Sequence, residues 1–191
     1  MRKTTLLLLA FLFAFCATAQ DKALKAALSE YFPVLPFDKG LMEVLTYFQK
    51  DANYVTDSVV GKSDTTELYV RGEHKTFNPF SFKPEKVLFC VRESENTVAY
   101  HITALLDGSP ASKEIAAKEV EIINKKIRKY TDTSTPGKSS GKEPIPYMNY
   151  HYTVRNENTW MLGLGWSFVN TPYYTGYFVV FQIDLVKKYI K

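Results

Sequence analysis

Cys90 and His101 are the first residues here whose types could do chemistry together. They lie on two β-rich runs, Lys86 to Arg92 and Asn96 to Leu106, joined by Glu93-Ser94-Glu95. In a hairpin they share a face at a diagonal. A thiolate beside an imidazole is the basis of cysteine hydrolases. The structural alternative is a small thiol packed beside a histidine, which is favoured because cysteine is among the most buried residue types. His151, Ser167 and Asp184 form a second set, of the types that make a Ser-His-Asp triad. Their placement follows if Tyr147 to Arg155 pairs with Thr159 to Val169 about Asn156-Glu157-Asn158, and if Tyr173 to Val186 pairs back about Thr171-Pro172. Ser167 and Asp184 then stand eight positions apart along the strands, roughly 26 Å at about 3.3 Å per residue. That separation excludes a triad. Gly165-Trp166-Ser167-Phe168-Val169 also lacks the second glycine of a nucleophile elbow.

The remaining chemical signals are weaker. His74, His101 and His151 contain no spaced pair of the His-x-x-x-His kind, so no metal site is expected. Pro136-Gly137-Lys138-Ser139 resembles the end of a phosphate-binding loop, but Asp132 stands where that loop needs glycine. No cofactor is expected. Of the thirteen tyrosines most alternate into a predicted core, leaving Tyr69, Tyr147, Tyr173 and Tyr174 for a contact patch near loop ends.

The same two hairpins define a groove. One face reads Met148-Trp166-Tyr177, Tyr150-Leu164-Val179, Tyr152-Leu162-Phe181 and Val154-Trp160-Ile183 across three strands, and it carries no charge. It is the expected core. The other face reads Tyr147-Ser167-Gly176, Asn149-Gly165-Phe178, His151-Gly163-Val180 and Thr153-Met161-Gln182. Glycine inside a strand weakens it and marks a bulge or a close approach. A shallow groove at Gly163 and Gly165, with Tyr147, Asn149, His151, Phe178 and Gln182 around it, is therefore the candidate ligand or partner site. Its expected occupant is the chain's own long helix. A partner segment or a ligand is the alternative.

The elements that position these residues are legible from periodicity. Leu24, Ala27, Leu28 and Tyr31 fall on one helical stripe after Asp21, and Leu41, Val44, Leu45 and Phe48 on another. Thr66 to His74 adds a strand. Ser109-Pro110 reads as an N-cap with proline at the first helical position, opening a helix to about Tyr130 that buries Ala116, Val120, Ile123 and Ile127. Residues 131–146 are polar, with proline and glycine, and are read as an exposed loop. The fold class is α+β: a single antiparallel sheet of about six strands, with two short N-terminal helices and one long central helix packed on its faces. The two short helices are placed on one side and the long helix on the other.

The N-terminus bears on destination. Arg2 and Lys3, an apolar run from Leu6 to Phe15 and the small-x-small Ala17-Thr18-Ala19 make residues 1–19 a signal peptide, with the mature chain a single globular domain over 20–191. Lipidation at Cys16 is disfavoured by Phe15 before it. No later stretch has the roughly 20 apolar residues of a membrane span. The mature chain carries 22 basic against 20 acidic residues, which is no nucleic-acid footprint. A hydrophobic content of 46% excludes a disordered chain. The expected function is a secreted or periplasmic non-enzymatic binding or interaction protein, its partner an unknown protein or small-molecule ligand of the cell envelope. The alternatives are an extracytoplasmic cysteine hydrolase using Cys90 and His101, and a structural envelope component accepting a partner segment in the groove.

Overall fold

The computed structural model describes residues 22–32, 41–61, 68–94, 96–131, 133–138, 146–154 and 157–186. For 41, 42, 44, 45, 56–61, 68–71, 133–138, 146–154, 157–160, 185 and 186 the backbone alone is described. The signal-peptide segment, residues 1–19, lies outside the described residues.

The described elements are helix α1 (22–29), helix α2 (Leu41–Lys50), strands β1 (Tyr54–Gly61), β2 (Leu68–His74), β3 (Lys86–Glu93) and β4 (Thr97–Leu106), helix α3 (Pro110–Ile127) with a 3-10 turn Arg128–Tyr130, and strands β5 (Thr133–Lys138), β6 (Pro146–Val154), β7 (Glu157–Asn170) and β8 (Thr175–Val186). The strands form one antiparallel sheet in the order β1-β2-β3-β4-β8-β7-β6-β5. Two four-stranded meanders thus meet at β4 and β8, and α3 crosses between them. The α+β architecture with one antiparallel sheet is as the periodicity predicts.

Two strands go beyond that reading. β1 carries a bulge between Thr56 and Ser58, so the intervening residue takes no register position and the period-two signal breaks at Asp57. β5 occupies part of the stretch expected as a loop. Its Thr-Ser-Thr-Pro-Gly-Lys sequence has no apolar alternation, and it lies at the sheet edge, where a proline is tolerated.

α3 begins as its sequence dictates. The Ser109 side chain accepts the Ser112 N–H at 3.2 Å, and Pro110 follows it. Asp107 accepts the Ser109 N–H at 2.9 Å and the Ser112 hydroxyl at 2.5 Å; hydrogen bonds from Ser109 and Ser112 hold its carboxyl down at about 2. Along α3, Ala116, Val120, Ile123 and Ile127 are buried. Glu119 is buried too, at 2% exposure, and accepts the Ser81 N–H at 3.1 Å and the Ser81 hydroxyl, fastening the β2–β3 loop to the helix.

All three helices lie on the same side of the sheet, which corrects the expectation that α3 takes the opposite side. Tyr31, just past α1, stands edge-on to Phe181 of β8 with ring centroids 5.3 Å apart, and Phe48 of α2 packs on Phe89 of β3 at 5.6 Å. Lys126 of α3 pairs with Glu30 and lies over the Tyr31 ring at 5.4 Å. The register puts Phe89, Ile102, Phe181 and Leu164 in one row across β3, β4, β8 and β7. These residues share a single buried cluster with Ala116, Val120, Ile123 and Ile127. The physical reason is charge. The other face of the same strands carries the charges of Lys86, Arg92 and Asp184, which a helix could cover only by desolvating them. Among the described residues no helix is long and apolar enough to cross a membrane.

Candidate functional site

The face that no described helix covers, called the uncovered face below, is read from the register, because directly paired residues point to the same side. One row across it runs Arg71, Cys90, His101, Gln182, Gly163, Asn149 and Thr135. A neighbouring row runs Tyr69, Arg92, Ala99, Asp184, Met161, His151 and Thr133. On the other flank stand Leu88, Thr103, Val180 and Gly165, then Leu105, Phe178 and Ser167. Leu88, Cys90, His101, Thr103, Leu105, Phe178, Val180 and Gln182 are all half-buried.

The expected groove residues therefore do share a face, but their neighbours differ from the expected ones. Gly163 sits between Asn149 and Gln182 instead of between His151 and Val180. Gly165 lies beside Val180 instead of Phe178, and His151 opposes Met161. Each hairpin is displaced by two positions from its expected register. For β6–β7 a bulge after Tyr152 intervenes; for β7–β8 the turn takes up 171–174, with the Thr171 N–H donating to the Tyr174 carbonyl at 2.9 Å. A two-residue slip preserves the faces and changes every partner. Tyr147, Asn149 and His151 hold their strand positions, while their side chains lie outside the described residues. α3 does not fill the groove, since it packs on the opposite face.

Cys90 and His101 are directly opposite each other, closer than the expected diagonal, because the β3–β4 register is also displaced by two. Cys90 is a half-buried thiol on the uncovered face and not a residue of the core. His101 Nε2 is buried with no hydrogen-bond partner. Burial, with a smaller contribution from the Arg92 charge, pushes the His101 imidazole down to about 4. A neutral imidazole supplies no cation to stabilise a thiolate at neutral pH. The Gln182 amide, next in the row, donates to Asp184 Oδ2 at 3.1 Å, and His101 Nε2 takes no bond from it.

The other sets are dispersed. Asp184 and His151 flank Met161, but Ser167 lies six positions from Met161 along β7, roughly 20 Å away at about 3.3 Å per residue. His74 is a structural histidine: its Nε2 lies 2.8 Å from Asp51 Oδ2, and its Nδ1 accepts the Phe77 N–H at 2.9 Å and the Thr76 N–H at 3.3 Å. Among the described residues no group of three His, Cys, Asp or Glu side chains could hold a metal ion. Of the tyrosine patch, Tyr173 is 97% exposed at the β7–β8 turn. Tyr174 is not available to it, because its hydroxyl folds back to donate to the Leu106 carbonyl. The side chains of Tyr69 and Tyr147 lie outside the described residues.

Arg92, Ala99 and Asp184 were not recognised together from the sequence. Their shared row becomes visible only once β3, β4 and β8 are placed side by side. No family model, curated protein or solved structure matches this chain.

Proposed function

We propose that this chain is an exported, non-enzymatic binding protein and that the uncovered face of its sheet is the binding surface. The observation that carries this reading is the asymmetry of the sheet: α1, α2 and α3 share one face, while the other presents a mixed polar and apolar surface around a buried, unpartnered His101 Nε2. Buried polar atoms are nearly always satisfied, so His101 Nε2 marks unused hydrogen-bonding capacity on this face. Export is supported by the Arg2-Lys3, Leu6 to Phe15 and Ala17-Thr18-Ala19 pattern. The hydrolase alternative is weakened by the neutral imidazole and by a ring nitrogen that no neighbour orients.

The test is to purify the protein from its own envelope fraction and identify retained species by native mass spectrometry, alongside a Gly163→Arg variant. The variant places a long cation in the middle of the face. Retention by the wild type and loss by a variant with an unchanged unfolding midpoint supports the reading. Equal retention by both overturns it.

A further inference from the structure

We infer that the outward surface of α3 is a self-association surface, on which two copies of this chain pack their α3 helices antiparallel as a weak, reversible dimer. The side of α3 that carries Ala116, Val120, Ile123 and Ile127 is buried in the core. Its outer side exposes Ile115 at 39% and Ile122 at 38%. Seven positions are two helical turns, so the two side chains stand one above the other, roughly 10 Å apart along the axis at about 1.5 Å per residue. Apolar residues spaced by seven, β-branched ones among them, form the seam along which two helices pack.

Beside that seam runs a line of alternating charge, Glu114, Lys118, Glu121 and Lys125, all exposed. Glu114 and Lys118 are spaced to pair within the helix, as are Glu121 and Lys125. Among the described residues, however, none of the four takes part in an ion pair. The order of signs selects the partner and its direction. Acid, base, acid, base read backwards is base, acid, base, acid, so the line is complementary to a reversed copy of itself. With a two-fold axis level with the Glu119–Val120 bond, Glu114 meets Lys125 of the second copy and Glu121 meets its Lys118. Each pair occurs twice, because a two-fold contact is made by the same patch on both subunits. Ile115 then lies two positions, roughly 3 Å, from level with Ile122 of the second copy, within reach for their side chains to interleave. A parallel arrangement would instead bring every charge level with its own copy. A single pair of 18-residue helices, each about 27 Å long, falls at the small end of protein interfaces, which is why the dimer is weak.

The test is sedimentation of the mature chain at low and high salt. A dimer with a Kd between about 10 µM and 1 mM is expected, weakened at least about fivefold between roughly 0.05 and 0.5 M salt. Lys118→Glu sets like charges against Glu121 at both ends of the two-fold contact and is expected to weaken the dimer at least about tenfold. Lys118→Glu combined with Glu121→Lys restores the opposition and is expected to recover the affinity to within about threefold of the wild type. Both side chains are exposed, and unfolding midpoints near that of the wild type establish that the variants fold. A chain still monomeric at about 1 mM, a dimer indifferent to Lys118→Glu, or a double variant no better than the single one overturns the inference. If the wild type is monomeric while Ile122→Asp loses a species that the wild type retains from its envelope fraction, the surface serves a different partner and self-association falls.

Discussion

The two faces of this sheet are built by the same strands and alternate residue by residue, yet they have opposite fates. On the covered face Phe89, Ile102, Leu164, Phe181 and Ile183 are at most 3% exposed beneath three helices. On the other face Leu88, Thr103, Leu105, Phe178 and Val180 are only half-buried, interspersed with Arg92, His101, Gln182 and Asp184. Both faces contain enough apolar surface to attract a helix. The difference teaches that a few charges decide which face is covered, because a helix laid over Arg92 and Asp184 would have to desolvate both.

The largest test of this contrast is Phe181→Ala, expected to cost about 3–5 kcal/mol, because the ring is fully buried and contacts both Tyr31 and Phe32. Its neighbour Val180→Ala, on the uncovered face, should cost about 1 kcal/mol or less. Equal losses in denaturant unfolding would mean that both faces are covered in solution.

Acid titration probes the uncovered face through His101. Its folded pKa is depressed to about 4 from an ordinary 6.5, so above pH 6.5 the ring is neutral in both states and its contribution is intact. As pH falls below 6.5 the unfolded chain takes up the proton and the native one does not, so stability drops until about pH 4, by up to roughly 3 kcal/mol, and then levels. Asp184 has the opposite sign, since its raised carboxyl ionises less readily in the folded state and its ionisation weakens the fold as pH rises. Unfolding curves at pH 7, 5.5 and 4 for the wild type and His101→Phe isolate the histidine. An unchanged slope in the variant would show that the ring is solvated.

Two glycines sharpen the comparison further. An added Cβ at Gly176 would collide with the Leu106 carbonyl oxygen and meet the Tyr174 hydroxyl at 2.6 Å, so Gly176→Ala should lose about 2 kcal/mol. Gly165 lies on the face with no described helix above it, so Gly165→Val should gain up to about 1 kcal/mol, valine being the better strand former. A loss at Gly165, measured by the same unfolding curves, would reveal a segment of the chain packed over this face.

Much of this arrangement was legible in the chain. The alternation of Val87, Phe89 and Val91 with Leu88, Cys90 and Arg92 assigns faces correctly, as does that of Val179, Phe181 and Ile183 with Val180, Gln182 and Asp184. Ser109-Pro110 announces α3, and its apolar stripe gives the buried residues. The candidate site was legible as a face and not as a set of neighbours, because alternation is unchanged by a two-residue slip while every cross-strand partner changes.

What the sequence by itself determined is therefore the periodic part: which residues form most of the strands and α3, and which residues share a side. Tertiary structure decided the rest. The long-range β4–β8 pairing brings His101 beside Gln182, the turn at 171–174 sets the neighbours of Gly163 and Gly165 on β8, and edge position made a strand of the apolar-poor Thr133–Lys138. The side taken by α3 was settled by the desolvation of charges on separate strands at once, a quantity that exists only when Arg92 of β3 and Asp184 of β8 stand on one face. Local periodicity is a property of neighbouring residues, whereas register and burial are sums over segments far apart in the chain.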